Sequence, residues 1–338
     1  MQAVLLYETG GPENLRIEET ATPQPGPGEV RIRLRAAALN RRDVWLTRGL
    51  YPRMQLPCIP GSDGAGVVDA LGEGVDPAWR NRGVVIYPAR EWGDDERCFG
   101  PDFRVLGMPD PGTFAEYLCV PVENLQPRPA HLSWEQAAAV PLAGLTAWRA
   151  AVTQGEVAAG HRVLVTGAGG GVAGFAVTWC ARLGAEVYVS SSSEQKIEAA
   201  RALGAVGGEN YRDGDCYARL KKQSGGFDLV IDGAGGNALN AVLDTLRPAG
   251  RYVFYGATRG NPDAGLAMAK LFFRHNRLQG TTLGTPTEFR AMLAFVEEHR
   301  IEPELDRIYP LSEAVAAHSH MEAGAQTGKI ILRIGGER

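Results

Sequence analysis

The chain has 338 residues, more than one hydrophobic core usually serves, so two domains are expected. Its 44% hydrophobic and 22% charged residues are those of an ordinary soluble globular protein. A formal net charge of −4 argues against nucleic acid or an anionic membrane as the main partner. Five scattered cysteines, Cys58, Cys98, Cys119, Cys180 and Cys216, have no CxxC spacing and read as reduced thiols rather than a disulfide framework. The opening MQAVLLYETG lacks the basic flank and long apolar stretch of a signal peptide, and the most apolar stretches are broken by Pro141, Arg149 and Arg182. A cytoplasmic protein is expected.

Residues 1–124 read as short strands between Gly/Pro turns. EVRIRLRAAAL alternates apolar and polar residues as a half-buried strand does, and PQPGPGE before it is a turn. GAGVVDALGEGV, RGVVIYPAR and TFAEYLCVPVENL continue the pattern, which predicts a β-rich domain. The rhythm changes after HLSWEQAAAV, where Ser133 is a candidate N-cap and Glu135 falls in the first helical turn. From His161 strand and helix alternate: RVLVTG, GFAVTWCARLGA, EVYVSS, EQKIEAARALGA, FDLVIDGAG and RYVFYGA. Buried strands alternating with amphipathic helices predict a doubly wound parallel sheet with helices on both faces, ending in RLQGTTLG. A helix from Glu288 to His299 then leaves the sheet, and GKIILRI closes the chain as a strand. Residues 125–284 are assigned to this α/β domain, and residues 1–124 with 285–338 to the β-rich one.

RVLVTGAGGGVAGFAVTWCARLGA is the strongest local signal. A buried strand ends at Gly167, glycines follow, and a helix begins near Val172. Glycines let backbone approach a pyrophosphate, and a helix N-terminus offers free N–H groups and positive partial charge. One frame gives G-x-G-x-x-G at Gly169, Gly171 and Gly174; the other ends G-G-V-A at Ala173. Dinucleotide binding is therefore expected at Gly169, Gly170, Gly171 and Val172.

With ALNRRDVWLTRGLYP, PGSDGAGVVDALGEGV, TFAEYLCVPVENLQPRP, AAAVPLAGLTAW, VTGAGGGVA, SSSEQKIEAARALGA and GKIILRI in this order, the chain resembles the medium-chain dehydrogenase/reductase superfamily. It is most similar to the quinone-oxidoreductase and zinc-free alcohol dehydrogenase-like branches. The resemblance implies a Rossmann-like NADP(H)-binding domain inserted into a GroES-like substrate domain, with a cleft joining them. Zinc members carry a catalytic Cys where this chain has Asn40 and a His at Ser62, and their third ligand falls near Leu142. A catalytic zinc needs about three protein ligands, so none is expected here. Their structural-zinc lobe corresponds to YPAREWGDDERCFG, where Trp92, Asp95 and Cys98 stand at three cysteine positions. His318 and His320 diverge by about 200° on a helix, so they cannot share an ion and read as solvated or partly packed residues.

Without metal, the reaction needs hydrogen-bond donors or an inherently electrophilic substrate, for which a quinone or an α,β-unsaturated carbonyl qualifies. The resemblance places Asn40, Arg42, Asp43, Trp45 and Tyr51 at the cleft. Asn40, Arg42 and Tyr51 are the catalytic candidates. Arg42 stands where zinc members commonly place a proton-relay Ser or Thr, while Tyr51 either donates to a substrate oxygen or packs its loop. Asp43 reads as an architectural partner. Thr146 either contacts the cofactor or caps a turn. Gly256, following RYVFY, is a further cofactor candidate. NAD-specific enzymes place an acid about 20 residues after the glycines. Here Ser191 and Ser192 occupy that place, with Lys196 one turn on, so NADPH is the expected cofactor. Tyr211 resembles a residue on the adenine side, Arg212 could add charge, and Glu194 is expected to turn away. A homodimer through the last strand, RLQGTTLG, is also expected. The alternatives are a nucleotide-binding protein with negligible turnover, structural or RNA-binding, and more remotely a zinc alcohol dehydrogenase.

Overall fold

Alternating side chains make strands in the computed structural model, which describes residues 1–335. A hairpin-like pair, β1 (Gln2–Leu6) and β2 (Leu15–Glu19), precedes β3 (Glu29–Ala38). In β3 the apolar members Val30, Ile32 and Leu34 are buried and the intervening arginines are not. Helix α1 (Arg41–Thr47) follows at once, then β4 (Asp63–Leu71), β5 (Gly83–Ile86) and the short pair β6 (Ala89–Arg90) and β7 (Arg104–Val105). Strands β8 (Tyr117–Pro121) and β9 (Leu125–Pro127) lead into α2 (Trp134–Ala139) and α3 (Pro141–Trp148). Ser133 caps α2 as expected: its Oγ accepts from Gln136 N–H at 3.1 Å, and Gln136 reaches back to the Ser133 N–H.

The second unit, Ala143–Gly284, is the doubly wound α/β domain. It runs β10 (Arg162–Thr166), α4 (Gly171–Arg182), β11 (Glu186–Ser191), α5 (Glu194–Ala202), β12 (Ala205–Asn210), α6 (Cys216–Ser224), β13 (Phe227–Asp232), α7 (Leu239–Leu243), β14 (Leu246–Phe254), α8 (Met268–Phe273) and β15 (Arg277–Gly280). All six strands are parallel in the order β12-β11-β10-β13-β14-β15. The order reverses beside β10, the crevice where open α/β sheets bind ligands.

The chain returns to the first unit through α9 (Pro286–Glu298), β16 (Leu305–Pro310), α10 (Ala314–Glu322) and β17 (Lys329–Arg333). Its sheet order is β16-β17-β3-β4-β5-β9, with β8 also on β3. The first unit extends to Leu142 rather than to residue 124 as read from the sequence. The reason is α2: its three buried alanines pack on β3, β4 and β17, so residues 125–142 belong with the β-rich core.

His318 is wholly buried, not solvated. Its Nδ1 lies 2.7 Å from the Ala314 carbonyl, its ring meets Phe114 edge-on, and burial lowers its pKa to about 4. His320 turns elsewhere, 3.0 Å from the Tyr309 hydroxyl and 3.5 Å from Asp306.

Strand β15 ends the parallel sheet with all four residues exposed, and Phe272 (63%), Phe273 (77%) and Met268 (63%) stand exposed on α8 just before it. An apolar surface beside an open strand edge favours a second copy. Light scattering at micromolar protein is expected to give a dimer, and Phe273→Asp to weaken it. A monomeric unaltered protein contradicts this expectation.

Candidate functional site

Strand register in the first unit brings distant polar residues together. Ala38 of β3 faces Asp63 of β4 on one side and Ile331 of β17 on the other, and Leu39 N–H bonds Ile330 O at 2.9 Å. Asn40, just past β3, therefore meets Asp63 and Lys329. The Lys329 ammonium donates to Asn40 Oδ1 at 2.7 Å and to Asp63 Oδ2 at 3.0 Å. Asn40 Nδ2 donates to the same carboxylate oxygen at 2.9 Å, and Leu142 N–H donates to Asp63 Oδ1 at 2.7 Å. All three side chains are buried: Asn40 6% exposed, Asp63 0%, Lys329 3%. The cation on one side and the carboxylate on the other fix which end of the Asn40 amide is oxygen and which is nitrogen.

Asp43 is architectural, as expected. Its Oδ2 accepts the Asn40 N–H at 2.7 Å at the start of α1. Its Oδ1 is buried without a partner, and burial pushes its pKa up to about 6 against the pull of Arg42. Arg42, where zinc members commonly place a relay hydroxyl, is a hydrogen-bond donor. It is buried, donates to Ser62 Oγ at 2.8 Å, Leu106 O at 2.7 Å and Met108 O at 3.5 Å, and lies 4.8 Å over the Tyr51 ring. Its donors tie the 106–108 backbone to Ser62, and a guanidinium does not deprotonate in protein. Tyr51 is half-buried and packs on the domain core through its ring, with the guanidinium over one face.

These residues do not fit a catalytic zinc. Asn40 Oδ1 already accepts from an ammonium, Ser62 Oγ donates to Leu106 O at 2.8 Å while accepting from Arg42, and Leu142 offers only backbone. A dication here would face two buried positive charges, Lys329 and Arg42. Among the described residues, no three His, Cys, Asp or Glu side chains cluster as a metal site requires. The lobe at Trp92, Asp95 and Cys98 is closed by aromatic packing instead. Trp92 meets Phe99 and Phe103 edge-on at 6.0 and 5.5 Å, those two stack at 4.4 Å, and the indole N–H bonds Asp95 O at 3.1 Å. Cys98 is exposed.

The second unit fits a dinucleotide. After β10, Gly167 and Gly169 take left-handed φ of 70° and 105°, and Gly170 caps α4 in extended backbone with no side chain on the cap. The first helical bond is Gly174 N–H to Gly170 O, so the N–H groups of Gly171, Val172 and Ala173 lie outside the helical ladder and open to an anion. A Cβ on Gly169 would fall 2.5 Å from Lys196 Cδ: the lysine stem lies across the glycine loop. Glu194 is exposed in the first turn of α5, as expected.

Ser191 departs from its expected role. Its hydroxyl is buried and donates to Ala168 O at 2.8 Å, which ties the end of β11 to the glycine loop and leaves no proton for a phosphate. Ser192 beside it is half-exposed, and Tyr211 N–H bonds Ser191 O at 2.9 Å. Thr146 is buried within α3. Gly256 packs so closely on the loop after β13 that a Cβ would stand 3.1 Å from Gly233 O. That loop is held by Asp232, which accepts from Thr166 and Tyr252 hydroxyls and from Ala234 N–H at 2.8 Å. Sequence reading missed Lys329 and Asp232, since no local motif marks either one. For Lys329 the one available signal is a charged residue opening the apolar run IIL in the strand KIILR.

Two family models match the chain: an alcohol dehydrogenase GroES-like domain over residues 26–130, and a zinc-binding dehydrogenase over residues 171–298. A zinc-type alcohol dehydrogenase-like protein of Leptosphaeria maculans is 37% identical, covering 95% of this chain and 94% of the relative. A quinone oxidoreductase of Pseudomonas aeruginosa is 31% identical, covering 96% of each. A crystal structure of an NAD-dependent alcohol dehydrogenase superposes with a TM-score of 0.94 at 38% identity, over 99% of this chain and 100% of that one.

The buried pair of Lys329 and Asp63 makes a direct prediction. Lys329→Met strands a carboxylate in the core and is expected to cost about 3–5 kcal/mol in urea unfolding. Arg48→Met breaks the exposed pair with Glu322 and is expected to cost under about 1 kcal/mol. Equal small losses contradict this reading of the site.

Proposed function

The chain is an oxidoreductase of the medium-chain dehydrogenase/reductase superfamily, and we propose that it is an NADPH-dependent reductase of quinones or α,β-unsaturated carbonyls that works without catalytic zinc. The observation that carries this reading is Lys329, whose ammonium is bonded to Asn40, at one ligand position of the zinc relatives, and to Asp63, next to a second one at Ser62. A zinc enzyme polarises a simple carbonyl with its metal, whereas a quinone or enone spreads the charge that develops on hydride addition and needs only modest help from hydrogen bonds.

When bound, the reduced nicotinamide supplies the hydride. The open N–H groups at the start of α4 hold the pyrophosphate, and Lys196, across Gly169, pairs with the adenosine 2′-phosphate. In the first unit, one Asn40 amide N–H is committed to Asp63 and the other is offered to a substrate oxygen. Tyr51 is the second donor, its ring held by Arg42. Arg42 supports both without exchanging a proton. An NAD-dependent solved relative leaves cofactor choice to this chain's own residues, and no carboxylate stands at Ser191 or Ser192 to repel a phosphate. The five free cysteines suit the reducing cytoplasm, and no helix of the described residues is long and apolar enough to cross a membrane.

Two assays test the reading. Oxidation of NADPH is expected with quinones and enones and not with saturated ketones, and Asn40→Ala is expected to lower kcat by about 10- to 100-fold with little change in KM for NADPH. No turnover with any electrophile favours the nucleotide-binding alternative, and chelator-sensitive alcohol oxidation contradicts the zinc-free chemistry. The kcat/KM for NADPH should exceed that for NADH, and Lys196→Ala should remove about tenfold of the difference. Equal use of both cofactors by the unaltered protein defeats the NADPH assignment.

A further inference from the structure

A second cation stands at the end of the same sheet. Arg259 lies in the loop after β14, and its backbone is held although its side chain is exposed. Its N–H bonds Ala234 O at 2.9 Å, and Gly236 N–H bonds Gly260 O at 2.9 Å. The two loops are pressed so closely that a Cβ on Gly236 would stand 2.9 Å from Arg259 Cβ. From this anchored position the guanidinium lies 4.4 Å over the Tyr211 ring. Tyr211 is itself bonded through its N–H to Ser191 O, where a ribose 2′ substituent is read.

Among the described residues, no carboxylate forms an ion pair with Arg259. Asp263, a near neighbour in sequence, is bonded to Asn237 instead. A planar fork of donors, stacked on an aromatic face, has lost much of its conformational freedom before any ligand arrives. Its charge remains unneutralised. The partner that chemistry prefers is a dianionic phosphate, which takes two parallel N–H bonds from one guanidinium.

We propose that Arg259, held on Tyr211, is a specificity-determining residue that binds the adenosine 2′-phosphate of the cofactor opposite Lys196. This rests on the NADPH reading above. It assigns the Tyr211 ring the role of platform, so the phenol oxygen is dispensable.

Calorimetric titration with adenosine 2′,5′-bisphosphate and with AMP separates the two readings without a substrate. The unaltered protein is expected to bind the bisphosphate more tightly than AMP. Arg259→Leu should weaken bisphosphate binding about tenfold and leave AMP unchanged, whereas Tyr211→Phe should keep the full preference. A preference retained in Arg259→Leu overturns this assignment alone. Equal weakening for both nucleotides overturns it too, because Arg259 then serves groups the two cofactors share. Loss of preference in Tyr211→Phe gives the contact to the phenol oxygen and also overturns it. Equal binding of both nucleotides by the unaltered protein overturns the assignment and the NADPH reading together.

Discussion

An ammonium buried among strands needs a carboxylate, and Lys329 finds one in Asp63 at 3.0 Å. Both groups lie almost wholly out of water, so neither tolerates the loss of the other. Their meeting requires β17 to lie beside β3 and β3 beside β4, with Ala38 facing both neighbours. A slip of one residue in either pairing would turn one charged side chain to the opposite face and leave the other unpaired. The pair therefore marks the register that closes the first unit, joining its last strand to its earlier ones. It also sets the Asn40 amide, whose oxygen is claimed by the cation and one of whose N–H bonds is claimed by the carboxylate.

Side-chain contacts also close the lobe at residues 92–103. There Trp92, Phe99 and Phe103 pack edge to face and face to face in the segment that resembles a structural-zinc lobe. Dispersion and ring electrostatics close the loop, with an indole N–H holding the Asp95 carbonyl. Neither the lobe nor the pair of Lys329 and Asp63 depends on thiolate chemistry in a chain whose buried cysteines have raised pKa values: burial pushes Cys58 up to about 11 and Cys180 to about 12.

The parallel sheet was legible in the sequence because its signals are local. Apolar runs and the glycines after β10 lie within a few residues of what they form. The pairing of Lys329 with Asp63 spans 266 residues, and no periodicity reveals a partner at that distance. Ser191 shows a subtler limit: sequence spacing places it at the ribose position, but its hydroxyl turns back to Ala168 O. Arg42 shows a related limit, since position alone cannot show that its donors are taken by Leu106 and Met108 carbonyls. The domain boundary moved because burial of α2, rather than the change in rhythm at Ser133, decides which core those residues join.

The Lys329 ammonium holds the polar centre of the first unit through Asn40 and Asp63, and the proposed chemistry needs no zinc beside it. Elemental analysis of protein made without added metal, paired with turnover assays in the presence of a strong chelator, tests it most directly. Zinc well below one per chain and turnover unaffected by chelation are expected. One tightly held zinc per chain, with turnover lost on its removal and restored by its return, would contradict zinc-free chemistry.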